Sequence, residues 1–211
     1  ELKGLSIPAA AIGLPTGGAA VTDAAIVPPG GTGAAALGEY CRVQGEIAPV
    51  DPKAPKIRFQ VNLPAAWNGK AMMFGGGGYN GIVATGVGNL PAGPTDKPFP
   101  LGRGYATFGS DSGHQAGPAT SRDGSFLAND EALRNFAGDA LKKTRDAALI
   151  VIQTRYAKTP ERSYFAGGST GGREALLAVG NWPSDLDGAI VLYPAWNAAA
   201  LNLRLGVMTR E

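Results

Sequence analysis

The sequence holds one cysteine, Cys41, and one histidine, His114, in 211 residues. A single thiol excludes an intrachain disulfide and a zinc site built on paired thiolates. Cys41 is expected as a small buried hydrophobe or as half of a bridge to another chain. Long apolar runs are missing too: no stretch reaches the roughly eighteen residues of a membrane-spanning helix. Charge of either sign is not in excess. Nineteen Lys and Arg against seventeen Asp and Glu leave +2, evenly scattered, so neither a nucleic-acid nor a membrane-surface partner is indicated. A charged segment followed by an apolar core is also lacking at the N-terminus, which opens on Glu1; a mature chain whose signal peptide has been removed is expected.

Glycine is abundant instead. At 32 of 211 residues it occurs at about twice its ordinary ~7%, which calls for many tight turns and close backbone approaches. The length suits one globular domain, and 44% hydrophobic residues can build its core. Residues 1–39 are rich in Ala, Gly and Pro without a steady period. They read as an extended, turn-punctuated segment that wraps the domain edge.

From residue 40 the patterns sharpen. Residues 41–47 and 57–63 alternate apolar with polar positions across Pro49, Pro52 and Pro55, the mark of two half-buried antiparallel strands in a hairpin. Residues 70–74 and 105–108 are short apolar runs opening into glycine-containing loops, as buried parallel strands do. From Leu133 through Ala140, Leu141, Thr144, Ala147, Ala148, Val151 and Ile152 a helical period holds for about six turns, with Asn129 or Asp130 as N-cap. A strand over 162–166, a helix over 172–179 and a strand over 188–193 follow. Strand, helix, strand, helix, strand makes a parallel sheet after an antiparallel start.

Gly167-Gly168-Ser169-Thr170-Gly171-Gly172 contains Gly-x-Ser-x-Gly between an expected strand and an expected helix. That corner holds a serine on a strained turn with its hydroxyl over the sheet, so Ser169 is the candidate nucleophile. The Thr170 amide, at the helix start, is a candidate oxyanion donor. Gly75-Gly76-Gly77-Gly78 follows the strand over 70–74, and Gly76 or Gly77 is the candidate second donor. The plain alternatives are a serine that only caps the helix and a glycine loop packed for tightness. Arg173 and Glu174 either orient a neighbouring loop or lie on a solvated helix face. Trp67, Trp182, Trp196, Tyr79 and Tyr193 either line a site or pack in the core. The four-glycine loop lacks the Gly-x-Gly-x-x-Gly of a dinucleotide site.

Residues 164–174, Tyr-Phe-Ala-Gly-Gly-Ser-Thr-Gly-Gly-Arg-Glu, followed by 182–190, Trp-Pro-Ser-Asp-Leu-Asp-Gly-Ala-Ile, and 194–197, Pro-Ala-Trp-Asn, resemble the tannase and feruloyl esterase family. Tyr40-Cys41-Arg42-Val43, the glycine loop, and residues 104–107 leading into Asp111-Ser112-Gly113-His114 match in the same order. The resemblance covers about residues 40–197. It implies an α/β-hydrolase fold, a mostly parallel sheet with an antiparallel N-terminal hairpin, of which residues 40–211 form the N-terminal part up to about the sixth strand. It also implies a secreted or periplasmic hydrolase of small esters of aromatic carboxylic acids, acting through an acyl-enzyme on Ser169 without a redox or organic cofactor. The family's lid often carries a structural calcium, which would lie outside this chain.

Two departures accompany the match. The family usually places cysteine immediately before the nucleophile, bridged beside the catalytic histidine; here Gly168 stands there, so other packing must position that loop. The fold orders its triad as Ser, then Asp or Glu, then His, and no histidine follows Ser169. A second polypeptide, or a nicked remainder carrying the lid, is therefore expected to supply Asp and His. His114 belongs to a motif outside the triad and is expected as a hydrogen-bonded structural residue. The alternative is a catalytically incomplete hydrolase-fold chain that serves as a binding module or scaffold.

Overall fold

Eight strands form one sheet in a computed structural model that describes residues 2–117, 122–197, 199–201 and 204. The strands are β1 (Ser6–Ile7), β2 (Ala19–Val27), β3 (Tyr40–Ile47), β4 (Ile57–Pro64), β5 (Lys70–Phe74), β6 (Ala106–Ser110), β7 (Arg162–Gly168) and β8 (Gly188–Leu192). Their spatial order is β1-β2-β3-β4-β6-β5-β7-β8. The hairpin expected over 41–63 is present, with Ile47 opposite Ile57 and Cys41 opposite Leu63. Its far edge continues through β2 and β1, antiparallel throughout. β6, β5, β7 and β8 form the parallel half, joined to the hairpin where β6 runs antiparallel to β4.

Within residues 2–39, β1 and β2 add two hydrogen-bonded strands at the antiparallel edge; counted from β3, where the family resemblance starts, β8 is the sixth strand, as expected. The weak alternation of β2, Ala-Ala-Val-Thr-Asp-Ala-Ala-Ile-Val, is broken by a register shift between Val21 and Asp23, which hides the period of 2. Residues 202–203 and 205–211, assigned with the rest of 40–211 to the catalytic domain, lie outside the described residues.

Strand alternation splits the apolar residues between two faces. Ala71 and Met73 join Phe59, Val61, Phe108 and Phe165 in the main core, while Met72 and Phe74 meet Ala166 on the opposite face beneath Ala84, Leu90 and Tyr105. Each fully buried large side chain contributes about 1.5–3 kcal/mol.

The helix expected from Leu133 is divided. Helix α1 (Asp130–Arg134) starts on Asn129, whose Oδ1 accepts from the Glu131 and Ala132 N–H groups, and Asp130 and Glu131 complement its dipole. A π turn at Asn135–Asp139, with Gly138 at φ 150°, then precedes α2 (Ala140–Tyr156). The buried face of α2, from Ala140 and Leu141 to Val151 and Ile152, packs on β4 and β6. Helix α3 (Thr170–Asn181) packs on β7 and β8. Among the described residues no helix is long and apolar enough to cross a membrane.

Candidate active site

β7 runs straight into α3 through Ser169, which takes φ 56° and ψ −120°. A side chain makes this conformation costly, so it persists only where neighbouring structure imposes it. The segment after β8 does so: the Ser169 N–H donates to the Leu192 carbonyl at 3.1 Å, and the Ser169 carbonyl accepts from the Ala195 N–H at 2.9 Å. Ser169 itself remains exposed.

The glycine loop after β5 lies directly against this corner. The Gly171 N–H donates to the Gly76 carbonyl at 3.0 Å, and the Thr170 hydroxyl donates to the Gly78 carbonyl at 2.6 Å. A Cβ on Gly75 would stand 2.5 Å from the Gly171 Cα, so glycine is required on both sides of this contact. Ser169, Thr170, Gly76 and Gly77 are thereby gathered at the carboxyl ends of the parallel strands. The two candidate donors of the loop are not equivalent. The Gly76 N–H donates to Glu174 Oε2 at 2.9 Å. The N–H groups of Gly77 and Thr170 have no acceptor among the described residues.

Glu174 is the residue that sequence reasoning undervalued. It is not on a solvated face: it is 2% exposed, and its Oε1 accepts from Asn80 Nδ2 at 2.6 Å and from the Ser112 hydroxyl at 3.1 Å. Burial pushes its carboxyl up, opposed by the Gly76 N–H, the Asn80 amide, the Arg173 charge and the Ser112 hydroxyl. Asn80 and Ser112 were not candidates at all. Their only sequence signal is position, one beyond β5 and one beyond β6, where such folds build sites. Arg173 turns away, with its guanidinium 4.6 Å from the centre of the Phe136 ring; burial holds its pKa below the usual arginine value.

His114 is buried, stacked 3.6 Å from Phe126 and edge-on to Phe136. The hydrogen bond expected for it does not form: neither ring nitrogen reaches an acceptor or donor in bonding geometry among the described residues. Burial lowers its pKa, and the nearby Tyr79 backbone offsets only part of that. Phe126 and Phe136 form the aromatic walls that enclose the ring. Cys41 is a free, half-buried thiol on β3 whose pKa is raised chiefly by burial. Trp67 stacks on Tyr156 and Trp182 packs against the core, whereas Tyr193 and Trp196 follow β8 beside the elbow, 64% and 60% exposed. Among the described residues no group of three or more His, Cys, Asp or Glu is placed to hold a metal ion.

Comparison with known proteins agrees with this arrangement. A family model described as tannase and feruloyl esterase matches residues 41–211. An uncharacterised esterase of Agrobacterium fabrum is 50% identical over 199 residues, covering 94% of this chain and 35% of that protein. The mono(2-hydroxyethyl) terephthalate hydrolase of Piscinibacter sakaiensis is 31% identical over 185 residues, 84% of this chain and 30% of that one. The crystal structure of feruloyl esterase B from Aspergillus oryzae superposes with a TM-score of 0.69 at 25% identity, over 84% of this chain and 35% of that one. The chain therefore spans about a third of the length of these relatives, and its fold is the expected part of an α/β hydrolase. The serine corner, the glycine loop against it and the match over residues 41–211 agree, and the chain belongs to the tannase and feruloyl esterase family.

Proposed function

We propose that Ser169 is the nucleophile of a carboxylic ester hydrolase and carries the acyl group of a covalent intermediate. The observation that carries this reading is the backbone of Ser169, held at φ 56° and ψ −120° at an exposed strand-to-helix corner. Its hydroxyl oxygen attacks the ester carbonyl and its proton passes to a histidine, which gives it to the alcohol that departs as the ester C–O bond breaks. That histidine and its orienting Asp come from a second polypeptide or from a C-terminal remainder that also carries the lid. The N–H groups of Thr170 and Gly77 stabilise the oxyanion, and water then releases the acid. Gly77 is preferred over Gly76 because the Gly76 N–H already has the Glu174 carboxylate as acceptor.

Several relatives are named feruloyl esterases, and the exposed rings of Tyr193 and Trp196 stand beside the elbow. Both support a small ester of an aromatic carboxylic acid as substrate. The chemistry draws on no redox or organic cofactor; a structural calcium, where the lid carries one, lies beyond these residues. Family membership supports a secreted or periplasmic location. The second reading is a binding module or scaffold that keeps the hydrolase fold without its chemistry.

A fluorophosphonate probe on the complete polypeptide separates the two. Labelling of Ser169, located by peptide mass spectrometry and lost in Ser169→Ala, is the expected result. A folded, complete protein that does not label rejects the esterase reading in favour of the scaffold.

A further inference from the structure

Six non-glycine residues among those described have positive φ, and four of them mark the carboxyl ends of the parallel strands: Asn80 beyond β5, Ser112 beyond β6, Ser169 beyond β7 and Tyr193 beyond β8. Such backbones need partners that over-determine them. Two of the four, Asn80 and Ser112, share one partner, the carboxylate of Glu174, which also accepts the Gly76 N–H. Three loops that the chain connects only at long range, residues 75–81, 111–113 and the elbow, therefore meet on a single side chain.

We infer that Glu174 is the positioning residue of this esterase site: its carboxylate fixes the glycine loop and the turn beyond β6 against α3, and so sets where the Gly77 N–H stands relative to Ser169. This rests on the esterase reading above. Stability alone is a poor reason for the residue. A fully buried carboxylate loses its hydration, and among the described residues no Lys or Arg forms an ion pair with it. It is held by N–H and O–H dipoles aimed at it, with the Arg173 charge as a lesser contribution. What those dipoles secure is geometry, and an oxyanion donor displaced by a fraction of an ångström forfeits much of its effect.

The test compares Glu174→Ala and Glu174→Gln with the parent in the complete polypeptide. The readouts are kcat and KM on a chromogenic aryl ester of a benzoic acid, labelling of Ser169 by the fluorophosphonate, and thermal unfolding. Glu174→Ala is expected to lower kcat about a hundredfold, the loss seen when one oxyanion donor is withdrawn, with KM nearly unchanged. Glu174→Gln is expected to restore most of that kcat. Its amide oxygen can accept from the Gly76 N–H, and its amide hydrogens can meet Ser112 Oγ and, once the Asn80 amide turns over, the Asn80 Oδ1 that is otherwise buried without a partner. If Glu174→Ala does not fold, Ser112→Ala, which removes one of the three bonds, is expected to lower kcat by a smaller factor at constant KM.

A folded Glu174→Ala with parental kcat overturns the inference. So does a loss that merely follows the folded fraction, a rise in KM in place of a fall in kcat, or a glutamine variant no better than alanine. A parent protein that neither turns over the ester nor labels takes down the esterase reading itself. A labelled parent with unaffected variants removes only the role of Glu174.

Discussion

The phenol of Tyr193 lies over Gly168, so close that a Cβ on residue 168 would stand 2.7 Å from the Tyr193 Oη and 2.8 Å from its Cζ. In this chain an aromatic ring occupies the space that a side chain before the nucleophile would need. Tyr193 is 64% exposed, so the ring can swing away. Gly168→Ala is therefore expected to cost less than about 1 kcal/mol. Gly167→Ala meets the backbone of Gly171, which cannot swing, and should cost about 3 kcal/mol or more. Equal losses for the two in denaturant unfolding would refute this account of the elbow.

Gly76 and Gly77 are adjacent but make opposite demands. A Cβ on Gly76 would collide with the Asn80 side-chain amide, while Gly77 has open space around it. Gly76→Ala should destabilise by about 1–3 kcal/mol and Gly77→Ala by no more than about 0.5 kcal/mol. Melting temperatures of the two variants, measured side by side, check the order.

The Asp111 carboxyl is 1% exposed, and burial pushes its pKa up from 3.8 to about 6, against bonds from the Gln115 side chain and from the Gly113 and Arg58 N–H groups. Between those two values the folded chain holds a proton that the unfolded chain has released. The contribution of this group is therefore complete below pH 3.8 and lost as pH rises through about 6, a change on the order of 3 kcal/mol. Stability curves from pH 3.5 to 7 should show this slope in the parent and a flatter one in Asp111→Asn. An unchanged slope in the variant would assign it to other groups.

Glu131 joins the loop between β3 and β4 to the helical layer. Its carboxylate accepts from the Val50 and Asp51 N–H groups and lies 3.5 Å from Lys143 Nζ, both side chains being almost fully buried. Glu131→Ala leaves the lysine without its anion and is expected to cost about 3–5 kcal/mol. Glu131→Ala paired with Lys143→Met should recover part of that loss in a double-mutant cycle; strict additivity would show that the pair is not coupled.

Much of the fold was legible in the sequence because its signals are local. The alternation over residues 41–47 and 57–63, the strand-turn-helix around Ser169 and the Asn129 cap each depend on residues a few positions apart. Less legible were features set by distant contacts. β2 pairs despite its register shift, because β3 offers it a ladder; the π turn at Asn135–Asp139 interrupts a smooth apolar period because Gly138 admits a φ of 150°. Glu174 looked like any charged residue in a first helical turn, and only the arrival of Gly76, Asn80 and Ser112 from elsewhere in the chain makes it central. His114 was expected to find a hydrogen-bond partner; Phe126 and Phe136, twelve or more residues away, enclose it instead.

β8 is bonded to β7 on one side and to no other strand among the described residues, and its five residues, Gly-Ala-Ile-Val-Leu, contain neither a charge nor a proline. Ile190 on this strand is 39% exposed. An open apolar edge of this kind is a template for strand addition between molecules. Ile190→Lys, which puts a charge on that strand, is expected to weaken any such pairing, as checked by the oligomeric state of parent and variant at equal concentration.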